Sequence, residues 1–256
     1  MDKIPLNHPR YHSLMTREKI ARGMRAGFVH ETGLIAHGRG EAFDYLFGEQ
    51  TQWFAEHATK TAAACLLCAH HPIISVNGNV AALVANDIVR LSKIIPAGLE
   101  VNLFHRTRKR VKKIIRLLHT QGASFVYGLA EDARIPHLDH DRAICDKQGI
   151  FSADVILVPL EDGDRCQALR ALGKVVITID LNPLSRTAKT AHITIVDNVT
   201  RAVPNLIRFV NELKSTSHEE LQVMVSCWDN QKNLQDSLCF LSQRLKTIGE
   251  YPGVER

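Results

Sequence analysis

The chain has 256 residues, 45% hydrophobic and 23% charged, which supplies a full core and excludes a disordered or coiled-coil protein. Its 32 Lys and Arg against 27 Asp and Glu leave a net charge of +5, which suits anionic ligands but falls short of a dedicated nucleic-acid binder. The opening stretch MDKIPLNHPRYHSL has no apolar core before a cleavage site, and no later run reaches the roughly 20 apolar residues of a membrane span, so a cytoplasmic protein with mostly buried, reduced cysteines is expected.

In chain order, Thr16 to Gly27 and Gly40 to Ala69 carry small and apolar residues at helical spacing, with Thr16 and Thr51 as expected N-caps. Then short β-branched runs alternate with helical stretches. The runs are PIISV (72–76), EVNLF (100–104), SFVYG (124–128), DVILVPL (154–160), KVVITI (174–179) and HITIV (192–196). Nearly continuous apolar strands read as strands covered on both faces, so the expected fold is α/β: a doubly wound, mostly parallel sheet of six strands. Helical patterns resume at Val199 to Leu213 and from Glu219 to Lys246, where Leu221, Met224, Val225, Leu234, Leu238, Leu241 and Leu245 mark the apolar face. No flexible linker intervenes. One domain spanning 1–256 is predicted, with a helical part (1–70), a sheet core (71–198) and closing helices (199–256).

Five of the runs end in polar residues: Asn77-Gly78-Asn79, His105-Arg106, Glu161-Asp162-Gly163-Asp164, Asp180-Leu181-Asn182 and Asp197-Asn198. Any one such end makes an ordinary turn or cap. Five together mark a ligand crevice outside the carboxyl ends of a parallel sheet.

Four further motifs bear on chemistry. Gly33-Leu-Ile-Ala-His-Gly38-Arg39-Gly40 has P-loop glycine spacing but Arg39 in place of the lysine, and it is read as a glycine-flanked arginine opening a helix, competing with a plain exposed turn. Cys65-x-x-Cys68 before His70-His71 has metal-ligand types, yet its apolar helical context favours core packing over zinc. Arg106 to Lys113 is the most basic run; no aromatic residue is interleaved, so it reads as a solvated helix face above Val111, Ile114, Ile115 and Leu118, with Arg106 alone directed at the strand ends. Asp180 to Thr187 offers Asp and Asn for ribose or adenine and Arg186-Thr187 for phosphate oxygens, while the absence of a G-x-G-x-x-G fingerprint disfavours a nicotinamide enzyme.

Six blocks in one order then carry a family resemblance: IPLNHPRYHSLMTREKIARG (4–23), GLIAHGRGEAFDYL (33–46), HPIISVNGNVAALV (71–84), EVNLFHRT (100–107), ADVILVPLEDGDR (153–165) and ITIDLNPLSRTAKTAHITIVDN (177–198). The chain closely resembles the archaeal-type 4-phosphopantoate–β-alanine ligases, also called phosphopantothenate synthetases. The likeness runs from about residue 4 through 213 and continues through WDNQKNL; the Arg108 to Lys113 run and the Cys65, Cys68 pair are local departures.

The resemblance implies a homodimeric, Rossmann-like enzyme of coenzyme A biosynthesis that condenses 4-phosphopantoate with β-alanine while ATP becomes AMP and pyrophosphate. It places ATP on Arg17, Arg39, Asp180, Leu181, Asn182, Arg186, Thr187, Asn198 and Val199. A carboxylate cannot acylate an amine directly because oxide is too poor a leaving group, so a pantoyl adenylate is the expected intermediate. Arg17, Arg39 and Arg186 are the expected cations offsetting repulsion between the two anions. Magnesium is expected on the ATP phosphates, with Glu161, Asp162 or Asp164 as carboxylate candidates. Glu161 or His105 is the candidate acceptor of the amine proton, and Asn77, Arg106 and Asp162 are candidate substrate contacts. Two rival readings stand beside this one: another ATP-dependent transferase or kinase on the same sheet, and a non-catalytic nucleotide- or RNA-binding module.

Overall fold

A computed structural model describes residues 4–8 and 10–249. The chain begins with α1 (Tyr11–Arg25), α2 (Glu31–Phe47) and α3 (Trp53–Cys68). It continues through β1 (Ile73–Val76), α4 (Gly78–Ile94), β2 (Gly98–Val101), α5 (Arg108–Thr120) and a short antiparallel pair, β3 (Ala133–Arg134) with β4 (Ile144–Cys145). Then follow β5 (Val155–Pro159), α6 (Gly163–Ala171), β6 (Val175–Ile179), α7 (Arg186–Thr190) and β7 (Ile193–Ile195), closed by α8 (Val199–Leu213), α9 (His218–Ser226) and α10 (Asn230–Gly249).

The main sheet among the described residues has five strands rather than six, ordered β2-β1-β5-β6-β7 and parallel throughout. The chain therefore winds outward from β1 to β2, then reverses and builds the other half. The predicted strand at 124–128 is reduced to a single parallel bridge between Tyr127 and Glu100, with Phe125 left exposed. Its apolar residues are too few and too interrupted to pair further once Gly128 turns at φ +123°. The second predicted strand begins earlier, at Gly98, because its pairing with β1 is set by Ile73 opposite Gly98.

Alternation along the buried strands divides two apolar layers. Ile74, Val76, Leu157, Ile177, Ile179, Ile193 and Ile195 face the layer of α3, α4, α5 and α8, while Ile73, Ile156, Val158 and Val176 face Cys166 and Leu169 of α6 and the 135–153 segment. Strand side chains point alternately to opposite faces, so a run that is apolar at every position needs cover on both. α5 buries Val111, Ile114, Ile115 and Leu118 as its periodicity predicts.

The N-terminal helices differ from the sequence reading in their starts. Thr16 lies inside α1, and Thr51 hands its hydroxyl to Asp197 at 2.7 Å, leaving Gln52 as the N-cap of α3. α2 begins well before Arg39, because the His30 side chain accepts from the Thr32 amide. Arg39 thus sits in the middle of α2 rather than at its opening. Gly33 lets α2 approach α4: a methyl group there would lie 2.5 Å from Asn79 Oδ1.

Cys65 packs inside α3, where burial pushes its thiol up to about 12, and no group of three or more metal-ligating side chains occurs among the described residues. All six cysteines are free, though Cys227 and Cys239 are exposed rather than buried. Leu221, Leu234 and Leu241 are buried in the closing helices, whereas Leu245 is exposed. No helix among the described residues is long and apolar enough to cross a membrane.

Candidate active site

Because all five strands run parallel, their carboxyl ends emerge along one edge, and a cleft of about 620 Å³ opens there. The size suits a nucleotide-scale ligand. β1 delivers Asn77, which caps α4 by accepting from the Val80 amide at 3.0 Å and donates to the Pro159 and Leu160 carbonyls at 3.1 Å each. One side chain thereby ties the tip of β1 to the tip of β5. Leu160 is held at φ 56°, a left-handed conformation that costs a non-glycine residue about 1 kcal/mol or more, immediately before Glu161.

β6 ends in Asp180, whose carboxylate accepts from the Asn182 amide at 2.9 Å and the Ser185 hydroxyl at 2.5 Å. Burial raises the Asp180 pKa, against the lowering effect of Ser185, Asn182 and Arg39. Arg39 on α2 borders the same cleft. Ser185 caps α7 through the Ala188 amide, Thr187 donates to the Glu161 carbonyl at 2.8 Å, and Arg186 reaches Gln167. The first turn of α4 and the N-terminus of α6, which has no side-chain cap, border the same cleft.

On the β2 side, His30 stacks on His105 with centroids 3.9 Å apart. Burial lowers the His30 pKa, assisted by His105 and Arg110. Arg110 lines the cleft and donates to two backbone carbonyls, those of His105 and Phe28, at the cost of a desolvation that lowers its own pKa.

The predicted residues divide accordingly. Arg39, Asn77, His105, Glu161, Asp162, Asp180, Leu181, Asn182, Arg186 and Thr187 all border the cleft. Asn198 and Val199 border a smaller adjoining cavity of about 60 Å³ that shares Gly40, Asn79 and Leu181 with it. The Asn198 amide is engaged internally, accepting from the Thr200 amide and donating to Asp44 at 2.8 Å. Arg17 reaches neither cavity wall; it pairs with Glu41 at 2.9 Å and donates to the Tyr45 hydroxyl. Asp164 turns to His140 at 2.9 Å.

Arg106 departs from its expected direction. Its guanidinium turns to the Gly128 carbonyl at 2.6 Å and to Glu131 at 3.1 Å and does not line the cleft, whereas Arg110, one helical turn on and read from sequence as a solvated charge, does. Sequence reasoning also passed over His30 and Arg142. His30 had a detectable signal, as a capping side chain before Glu31; Arg142 had none, since it lies in an aperiodic stretch brought to the cleft by Asn102, which donates to the Arg142 and Ile144 carbonyls.

Residues 54–244 match the family described as phosphopantothenate/pantothenate synthetase. The chain belongs to that family. It is 51% identical over 253 residues to a Methanosarcina mazei protein named 4-phosphopantoate–beta-alanine ligase, covering 99% of this chain and 100% of the relative. A Thermococcus kodakarensis protein of the same name is 51% identical over 251 residues, 98% of this chain and 96% of its own. Arg39, Arg110, Arg142 and Arg186 border the cleft at the strand ends and make it a cationic surface suited to anionic ligands.

Proposed function

We propose that this protein is an ATP-dependent 4-phosphopantoate–β-alanine ligase of coenzyme A biosynthesis that forms 4'-phosphopantothenate, AMP and diphosphate through a pantoyl adenylate. Near-full-length identity to ligases of that name supports the substrates, and the arginines gathered around one cleft support the pairing of two phosphorylated ligands. In this reading ATP lies over β6 and β7, on Arg39, Asp180, Leu181, Asn182, Arg186, Thr187, Asn198 and Val199, with Arg17 acting through Glu41 on α2. The 4-phosphate of the acid lies on the other side, against Arg110 and the first turn of α4, rather than on Arg106. Between them the substrate carboxylate attacks the α-phosphorus and the electron pair of the breaking P–O bond leaves with diphosphate.

In the second step the neutral amine of β-alanine attacks the acyl carbon, AMP departs, and a proton must leave the nitrogen. Both Glu161 oxygens are already held by arginines, so His105 is the better acceptor. Asn77, whose donors are spent on Pro159 and Leu160, shapes the acid's pocket rather than donating to it.

Magnesium fits this site as an ion carried mainly by the ATP phosphates. Among the described residues Asp162 is a half-exposed cleft carboxylate facing a single arginine, Arg142, whereas Asp164 faces His140. The ion would supply charge neutralisation at the phosphates. We further infer a Rossmann-like, doubly wound single domain acting in the cytoplasm as a homodimer; α2 exposes Ile35, Tyr45 and Leu46 as apolar surface for a subunit contact.

The test is chromatography of a reaction with ATP, 4-phosphopantoate and β-alanine. Equal amounts of 4'-phosphopantothenate and AMP are expected; ADP would replace the adenylate with an acyl phosphate, and no amide product would overturn the ligase reading.

A further inference from the structure

Two arginines approach one carboxylate from opposite sides at the tip of β5. Glu161 Oε1 lies 2.6 Å from Arg142 Nη1, and its Oε2 meets Arg165 Nη1, which also lies 3.3 Å from the Ser75 hydroxyl. Arg142 Nε in turn lies 2.8 Å from Asp162 Oδ2. Side-chain exposure rises along this chain, from 0% at Arg165 and 1% at Glu161 to 8% at Arg142 and 43% at Asp162. It runs from the interior of the sheet to the rim of the cleft.

The charges in this row do not balance where they are buried. Two guanidiniums share one fully buried carboxylate, and the group that offsets the excess, Asp162, is only half-buried, though the Oδ2 that faces Arg142 is covered. Arg142 Nε and Nη1 lie close to their carboxylates without well-directed hydrogen bonds, and Arg165 Nε and Nη2 have no hydrogen-bond partner. A buried cation held this way is costly, and a cluster that existed only for stability would do as well with apolar side chains. It is also held from behind. Asn102 fixes the Arg142 and Ile144 carbonyls, and the buried Glu100 carboxylate accepts from the Asp146 and Ile150 amides at 3.1 and 2.6 Å. The segment that carries Arg142 is thereby pinned to the edge of the sheet.

We propose that Arg142 receives the carboxylate of the acyl substrate, and that Arg165 is a positioning residue that acts through Glu161 to hold Arg142 in place. The inference rests on the ligase reading above and adds residues to it. Position selects the carboxylate as the ligand. Arg142 is the cleft arginine anchored at the middle strand, with Asp180 and Arg186 on the β6 side and Arg110 on the β2 side. The acid and the α-phosphate meet at that middle position. A guanidinium there presents two parallel donors to a carboxylate oxygen pair and offsets the repulsion of the approaching phosphate, leaving one oxygen to form the new O–P bond. Asp162 occupies Arg142 Nε until the substrate carboxylate displaces it.

The experiment compares Arg142→Ala, Arg142→Lys, Arg165→Met, Arg165→Lys and Glu161→Gln by steady-state kinetics with each substrate varied, beside thermal melts. For Arg142→Ala, KM for 4-phosphopantoate should rise at least ~10-fold and kcat should fall ~100-fold, with KM for ATP within about twofold of wild type and partial recovery on adding free guanidinium. Arg165→Met should show the same split, and Arg165→Lys should recover part of it. An unchanged KM for 4-phosphopantoate in Arg142→Ala, or an equal rise for ATP, would overturn the assignment of Arg142. Unchanged kcat/KM in Arg165→Met would overturn the relay. Should Arg165→Met fail to fold, Glu161→Gln, which keeps the shape and removes the charge, decides the relay by the same split. Wild-type enzyme that makes no amide would overturn the ligase reading and these assignments with it, whereas active wild-type enzyme with unaffected variants would overturn the assignments alone.

Discussion

Gly163 lies so close to Arg186 that a methyl group on the glycine would sit 2.6 Å from both Cβ and Cγ of the arginine. The contact is at the root of the side chain, so the arginine cannot yield by swinging its tip. The first residue of α6 is therefore small because the arginine at the start of α7 needs its space.

Gly163→Ala should consequently displace Arg186 while leaving α6 intact, since alanine is the better helix former. A loss of about 10- to 100-fold in kcat/KM is expected, on the ground that a misplacement of about 1 Å in a positioning group costs that much. Steady-state kinetics beside a thermal melt checks it; wild-type turnover would show that the close approach is irrelevant to the chemistry.

Arg186 is exposed, and its hydrogen bond among the described residues runs to Gln167. Removing it should not unfold the protein. Arg186→Ala should lower amide formation by roughly 100-fold or more, comparable with losing one preset donor to a developing charge. The measurement is amide product per unit time in a sample whose circular dichroism matches wild type.

Arg106 and Arg110 should behave oppositely. Arg106→Ala deletes the contacts to Gly128 and Glu131 and should lower stability by about 1 to 3 kcal/mol with little change in KM. Arg110→Ala should raise KM for 4-phosphopantoate by about tenfold or more, because it removes the guanidinium at the β2 side of the cleft. Denaturant midpoints and substrate-varied kinetics on both variants separate the two roles.

Glu100 sets a pH dependence of stability. Burial, partly opposed by the Ile150 and Asp146 amides, raises its pKa from the ordinary carboxyl value of 4.5 to about 7. The folded state then holds a proton that the unfolded state releases, so the contribution of Glu100 is fully present below pH 4.5 and is lost as pH rises through about 7. Wild-type denaturant midpoints should fall across that interval, and Glu100→Gln should flatten the fall. A slope that survives the substitution would assign it to other groups.

The strand runs, the polar strand ends and the Asp180 to Thr187 segment were readable because each is local: an apolar run bounded by turn residues, or a polar cluster following a strand. Helix starts were less so. The glycines at 33, 38 and 40 suggested an arginine at the opening of a helix or a plain turn, yet they lie inside α2, where Gly33 answers a close approach to Asn79 on another helix. The basic run misled for a related reason. Its residues look alike along the chain, and only packing determines that Arg106 folds under Gly128 while Arg110 lines the cleft.

By itself the sequence determined the family, the alternation of strands and helices, and a row of polar strand tips, since these are properties of contiguous residues. The tertiary structure decided the number of strands in the sheet, the separation of Arg17 and Asn198 from the main cleft, and the arrival of Arg142 beside Glu161 from a stretch with no pattern of its own. Those outcomes depend on which distant groups satisfy each buried charge and amide, and that choice is made by packing across the whole molecule.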